Sequence, residues 1–198
     1  MSITVFVALQ SFTGLLDASS SVQDMYFSDY AVTNETVGIP SEAVKTLAEN
    51  DAVESVSTTR LSVFMPGAGD ILPFETDLSV QSHETLQLVN VDEAQLQIYA
   101  PNLSAQDKQA LKDGTGCLVK NPIAFSYGDT TVQQTDLTVG DTIQLGDRTL
   151  PVLGLIDTAI TINNDGFTNG VQLIVNDEIY CSLLGNDSYS ESIYHLHG

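Results

Sequence analysis

The chain has 198 residues, 42% of them hydrophobic, with six Lys and Arg against 26 Asp and Glu, a formal net charge of −20. That length and apolar content suit a packed core in one domain or two intimate lobes, and exclude a disordered chain. An acidic surface of this strength repels a phosphate backbone and an anionic leaflet, so no nucleic acid partner is expected, while the same charge keeps an exposed domain soluble.

Residues 1–16 carry no charge and include Ile3, Val5, Phe6, Val7, Leu9, Phe12, Leu15 and Leu16. A spanning helix needs roughly 20 apolar residues, and a secretory signal needs a basic leader that is missing here. Residues 1–20 therefore read as the outer end of a transmembrane helix or a stalk, with an ordinary N-terminal core helix as the alternative. Residues 21–198 read as the domain proper.

Between Asp24 and Thr33, aromatics and valine among polar residues suggest a strand, broken by Gly38 and Pro40. Ser41 then reads as the cap of a helix ending near Asn50, and Val53 to Phe64 as a long second strand, giving a β-α-β unit. Gly67 to Gly69 make a turn, Pro73 to Val80 a short strand, and Thr85 to Val91 a better one. A helical segment runs from Asp92 towards Tyr99. Ser104 caps a further helix that Gly114 stops.

Gly116 to Lys120 reads as a short buried strand, followed by an irregular polar connection over residues 122–136. Val139, Ile143 and Leu145 alternate with polar residues, Gly146-Asp147 breaks the run, and Leu150, Val152 and the apolar stretch to Ile156 follow. This is the pattern of a two-stranded hairpin. Asn163 to Gly166 signals a turn between strands at 160–162 and 171–175. Asp177 to Leu184 reads as a helix closed by Gly185, and Ser192 to Leu196 as a last strand.

Few residues invite chemistry. Cys117 and Cys181 are the only cysteines, so one disulfide or two free thiols are the alternatives. His195-Leu196-His197 sets two rings on one face of a strand, but His83 is remote and no third ligand is indicated, so no metal is expected. The Asn163 to Gly166 segment lacks the spaced acids of a calcium loop. There is no nucleophile elbow, no phosphate-binding loop and no dinucleotide fingerprint. No catalytic residue, cofactor or enzymatic activity is expected, and ATP, if used, is bound by another chain.

The hairpin words V-G-D-T-I-x-L and P-V-L-G-L, carried by Val139, Gly140, Asp141, Ile143, Leu145, Val152 and Gly154, are similar to the hairpin late in the extracytoplasmic domain of FtsX-like ABC transporter permeases of the MacB type. The helix-to-strand phrase of residues 41–56 resembles the opening of the same domains, and the segment from Val89 through Lys120 resembles their middle. The resemblance spans most of residues 24–157. It implies an α+β fold in which the first β-α-β unit and the C-terminal strands form one lobe, with a more β-rich lobe inserted over about residues 68–170. It also implies a location on the extracellular side of the cell membrane, an ATP-binding subunit or domain as partner through the membrane helices, and an exported substrate or external protein as the second partner. The reading independent of this resemblance is a free-standing acidic cell-surface binding module, an adhesin or a carbohydrate or peptide binder.

Overall fold

The computed structural model describes residues 30–33, 38–79, 85–120, 125–127, 130–132, 137–157, 159–160, 170–185 and 188–197. Residues 1–29, His83 and the Asn163 to Gly166 turn lie outside the described residues. The elements are β1 (Tyr30–Thr33), α1 (Ser41–Ala48), β2 (Val53–Phe64), β3 (Thr85–Val91), α2 (Glu93–Tyr99), α3 (Ala105–Lys112), β4 (Cys117–Lys120), β5 (Phe125–Tyr127), β6 (Thr130–Val132), β7 (Thr142–Leu145), β8 (Arg148–Leu155), β9 (Gly170–Ile174), α4 (Asp177–Leu184) and β10 (Glu191–Leu196). Eight strands form one mixed sheet in the order β1-β10-β2-β3-β9-β4-β8-β7, and β5 and β6 pair separately. The fold is α+β.

β3 and β9 run parallel, as do β4 and β8, and β9 and β4 are buried along their whole length. Thr85 to Asn90 are all buried, because successive side chains feed opposite cores. Leu86 and Leu88 join Cys117, Val119, Ile143, Leu145, Val152, Leu173, Ile179 and Tyr180 beneath α4. Val89 joins Leu96, Ala100, Leu111, Leu118 and Ile174 beneath α2 and α3. Three helices are set by side-chain caps: for α2 Asp92 accepts from Gln95 N–H, for α3 Ser104 from Asp107 N–H and for α4 Asn176 from Ile179 N–H. Gly185 ends α4 in the left-handed conformation.

The two ends of the described chain meet at one edge. β1 pairs antiparallel with β10, Tyr30 opposite Tyr194, and β10 pairs with β2. β3, β9, β4, β8 and β7 continue the same sheet beyond β2.

Several sequence expectations change. The cap position of α1 is Pro40, with Ser41 the first helical residue. The stretch from Pro73 onward is a strap, not a strand: it makes one bridge, Thr76 to Leu145, after which the Asp77 carboxylate takes the Gln144 N–H at 2.9 Å and stops the ladder. Phe74 anchors the strap edge-on to Phe64. The connection expected to be irregular holds β5 and β6. Most of the hairpin expected between 160–162 and β9 falls on residues 161–169, outside the described residues; β9 itself lies between β3 and β4. At its near end the Gln172 amide bonds both Ile160 N–H (2.8 Å) and Ile160 C=O (2.6 Å), and reaches Gln87 opposite at 2.7 Å. Cys117 and Cys181 are both free thiols, so the possible disulfide is not made. Cys117 faces the core beneath α4, where burial pushes its thiol up to about 12 and leaves it unreactive.

Candidate functional site

The hairpin residues read from the sequence are structural. Ile143, Leu145 and Val152 are buried, whereas Val139 is 61% exposed and precedes β7. Gly140 has φ +95, which a side chain rarely adopts, and donates its N–H to Val152 C=O at 2.9 Å. The Asp141 carboxylate accepts from Thr138 N–H at 2.7 Å, closing the turn. At Gly154 a methyl group would lie 3.1 Å from Leu103 Cδ1, so the residue permits close packing. None of the seven lines the cleft described below. On β10, a register shift between His195 and Leu196 breaks the alternation that would have set His195 and His197 on one face. Among the described residues no group of three or more His, Cys, Asp or Glu is placed to hold a metal.

The unusual chemistry lies at the middle of β2. β10 pairs with β2 from Val53 to Thr59, and β3 pairs with it from Thr59 to Phe64. Only Thr59 is flanked on both sides. Each half of β2 is thus left open on one side, and side chains close both gaps. Beyond β3, Asp92 accepts Thr58 N–H at 2.7 Å and the Ser57 hydroxyl at 2.7 Å, while its own N–H donates to Thr58 C=O. Beyond β10, the Ser190 hydroxyl accepts from Leu61 N–H at 2.9 Å and donates to Leu61 C=O at 3.2 Å. One capping residue and one serine therefore serve as the missing strand residues, satisfying part-buried backbone groups at Thr58 and Leu61.

At this step both faces of β2 carry buried polar groups. On one face Arg60 is only 3% exposed, donates to Asn90 Oδ1 at 2.9 Å, pairs with the Asp177 carboxylate at the start of α4, and lies 3.8 Å over the Tyr189 ring. Asn90 in turn donates to Val175 C=O. On the other face the Thr59 hydroxyl donates to Gln95 Oε1 at 2.9 Å, with buried Glu191 directly opposite Thr59. Burial first, and the Glu191 charge second, hold the Tyr99 hydroxyl above its usual range. The Arg60 constellation was not legible from the sequence: an arginine in the middle of a strand reads as solvated until its long-range partners are known.

Above the step opens a cleft of about 730 Å³. It lies past the C-terminal ends of the parallel strands β3 and β9, whose following helices α2 and α4 depart to opposite faces of the sheet. Diverging helices at adjacent parallel strand ends leave a crevice where ligands bind in open α/β sheets. Val91, Leu96 and Leu111 give it an apolar floor, and Lys108 and Lys112 of α3 stand on one wall.

Solved structures similar to this chain include the following two. The extracellular domain of the noncanonic ABC-type transporter YknZ from Gram-positive bacteria matches with a TM-score of 0.49 and 11% identity, over 83% of this chain and 76% of that one. The periplasmic region of MacB from Actinobacillus actinomycetemcomitans matches with a TM-score of 0.42 and 12% identity, over 83% of this chain and 66% of that one. No protein-family model matches the sequence, and no curated protein matches it. Among the described residues no helix is long and apolar enough to cross a membrane.

Proposed function

We propose that this chain is the extracytoplasmic domain of an ABC transporter permease of the FtsX-like class, held between two membrane helices and moved by a partner ATP-binding subunit. The sequence resemblance over residues 24–157 motivates the reading, and one structural observation carries it. Tyr30 opens β1 directly opposite Tyr194 near the end of β10, so the chain enters and leaves the sheet side by side at one edge. Paired strands lie about 5 Å apart and packed helices 8–10 Å apart, so two adjacent membrane helices can hold this edge without a long linker. Movement imposed there passes into the rest of the sheet along β2, the one strand hydrogen-bonded to both β10 and β3. The domain supplies no reaction. It handles a substrate outside the membrane or signals to an external protein.

The test is the side of the membrane on which the domain lies. Ile71 is 90% exposed in the loop between β2 and β3. In the full-length gene product, with Cys181→Ser removing the accessible native thiol, Ile71→Cys is expected to react with a membrane-impermeant maleimide in intact cells. Labelling only after lysis would refute the assignment.

A further inference from the structure

We propose that the cleft between α2, α3 and the start of α4 binds an amphiphilic carboxylate, a small molecule with an anionic head and an apolar body. The inference starts from charge. In a chain with six basic residues and a net charge of −20, three of the six, Arg60, Lys108 and Lys112, line this one cleft. Arg60 is committed to Asp177 and Asn90. The two lysines are not: the ion pairs found among the described residues are Arg60 with Asp177 and Arg148 with Glu178. Lys108 donates to the neutral Gln97 amide oxygen at 3.0 Å.

Lys108 and Lys112 stand four residues apart on α3, hence one above the other on the same face of the helix. The carboxylates that share the cleft are mostly neutralised or occupied. Asp177 pairs with Arg60, Glu178 with Arg148, and Asp92 accepts from Ser57, Thr58 and Gln95. Glu93 is the remaining acid on the wall. Two ammonium groups above an apolar floor therefore present cationic heads beside a surface suited to hydrocarbon, in a molecule whose surface elsewhere repels anions. A volume of about 730 Å³ falls within the range of small-molecule sites. The charge arrangement selects against an amphiphilic cation, which would meet both lysines, and gives no advantage to a neutral alcohol of equal length.

The experiment is an amide-resolved NMR titration of the 198-residue chain with octanoate, octanol and octylammonium, which share one hydrocarbon tail. Octanoate is expected to shift amides of α2, α3 and the Asn176 turn. Lys108→Gln with Lys112→Gln should weaken it about tenfold, and arginine at both positions should restore it. Both side chains sit on a helix surface, so an unchanged melting temperature checks that the variants fold. Equal affinity for octanol or octylammonium, shifts centred elsewhere, indifference to the glutamine pair, or no binding at millimolar octanoate would each overturn the proposal.

Discussion

The two halves of β2 have different neighbours. The C-terminal half belongs to a block, β3-β9-β4-β8-β7, whose central strands are covered on both faces, with Leu88, Val89, Val119 and Leu173 at 0% exposure. The N-terminal half pairs with β10 and, beyond it, β1, where Tyr30 and Val32 remain exposed. That outer ladder is held by the Tyr30–Tyr194 stack, the Ile39–Tyr189 bridge and Val44 of α1 more than by a deep core. The same strand is thus rigid at one end and lightly held at the other, and the change occurs at Thr59. A domain gripped at its outer edge can yield there without losing the block.

The comparison is broken most strongly from inside the block. Leu173→Ala should cost about 2–5 kcal/mol in denaturant unfolding, because it leaves a cavity between packed strands and helices. Val32→Ala at the outer edge should change stability by less than about 0.5 kcal/mol. At the step itself, Asp177→Asn removes a counter-charge from the buried Arg60 guanidinium. Because Asp177 is largely exposed, the cost should be only about 1–3 kcal/mol, below that of a fully buried pair. Ser190→Ala removes both hydrogen bonds that close β2 at Leu61 and should cost about 1–2 kcal/mol, with faster exchange of the Leu61 amide as its local signature.

The pH dependence sharpens the contrast, because the Cys117 thiol belongs to the block. With its pKa raised by burial from 9.0 to about 12, the folded chain keeps a proton that the unfolded chain releases. Stability should therefore fall as pH rises from about 9 towards 12. Tyr99 and Tyr180, both raised chiefly by burial, add the same sign above pH 10. Lys120, lowered by burial, acts oppositely: the unfolded chain holds its proton longer, so its contribution grows up to about pH 10.5. Denaturant titrations at pH 8, 9.5 and 11 should show a shallower alkaline loss for Cys117→Ala than for the native chain.

What could be read from the sequence was local. The β7–β8 hairpin, the Ser104 cap, the Gly185 stop and the length of β2 follow from turn, cap and alternation rules acting within a few residues. The resemblance, too, was carried by such local words. The step at Thr59 was not legible, because Ser190 and Asp92 act as strand residues only through partners distant in sequence. Nor was the placement of β9 between β3 and β4: its apolar run fits any buried strand, and its neighbours are set by pairing with segments distant in sequence. The cleft arises from two helices separated by about eighty residues of chain, so no local pattern could announce it.

Native-state hydrogen exchange along β2 tests the two-region account most directly. The β3-facing amides of Ser62 and Phe64, with those of β3 and β9, should exchange only through global unfolding, while those of Val53 to Ser57, β10 and β1 should exchange through a smaller local opening at lower free energy. Uniform protection along all twelve residues of β2 would contradict it.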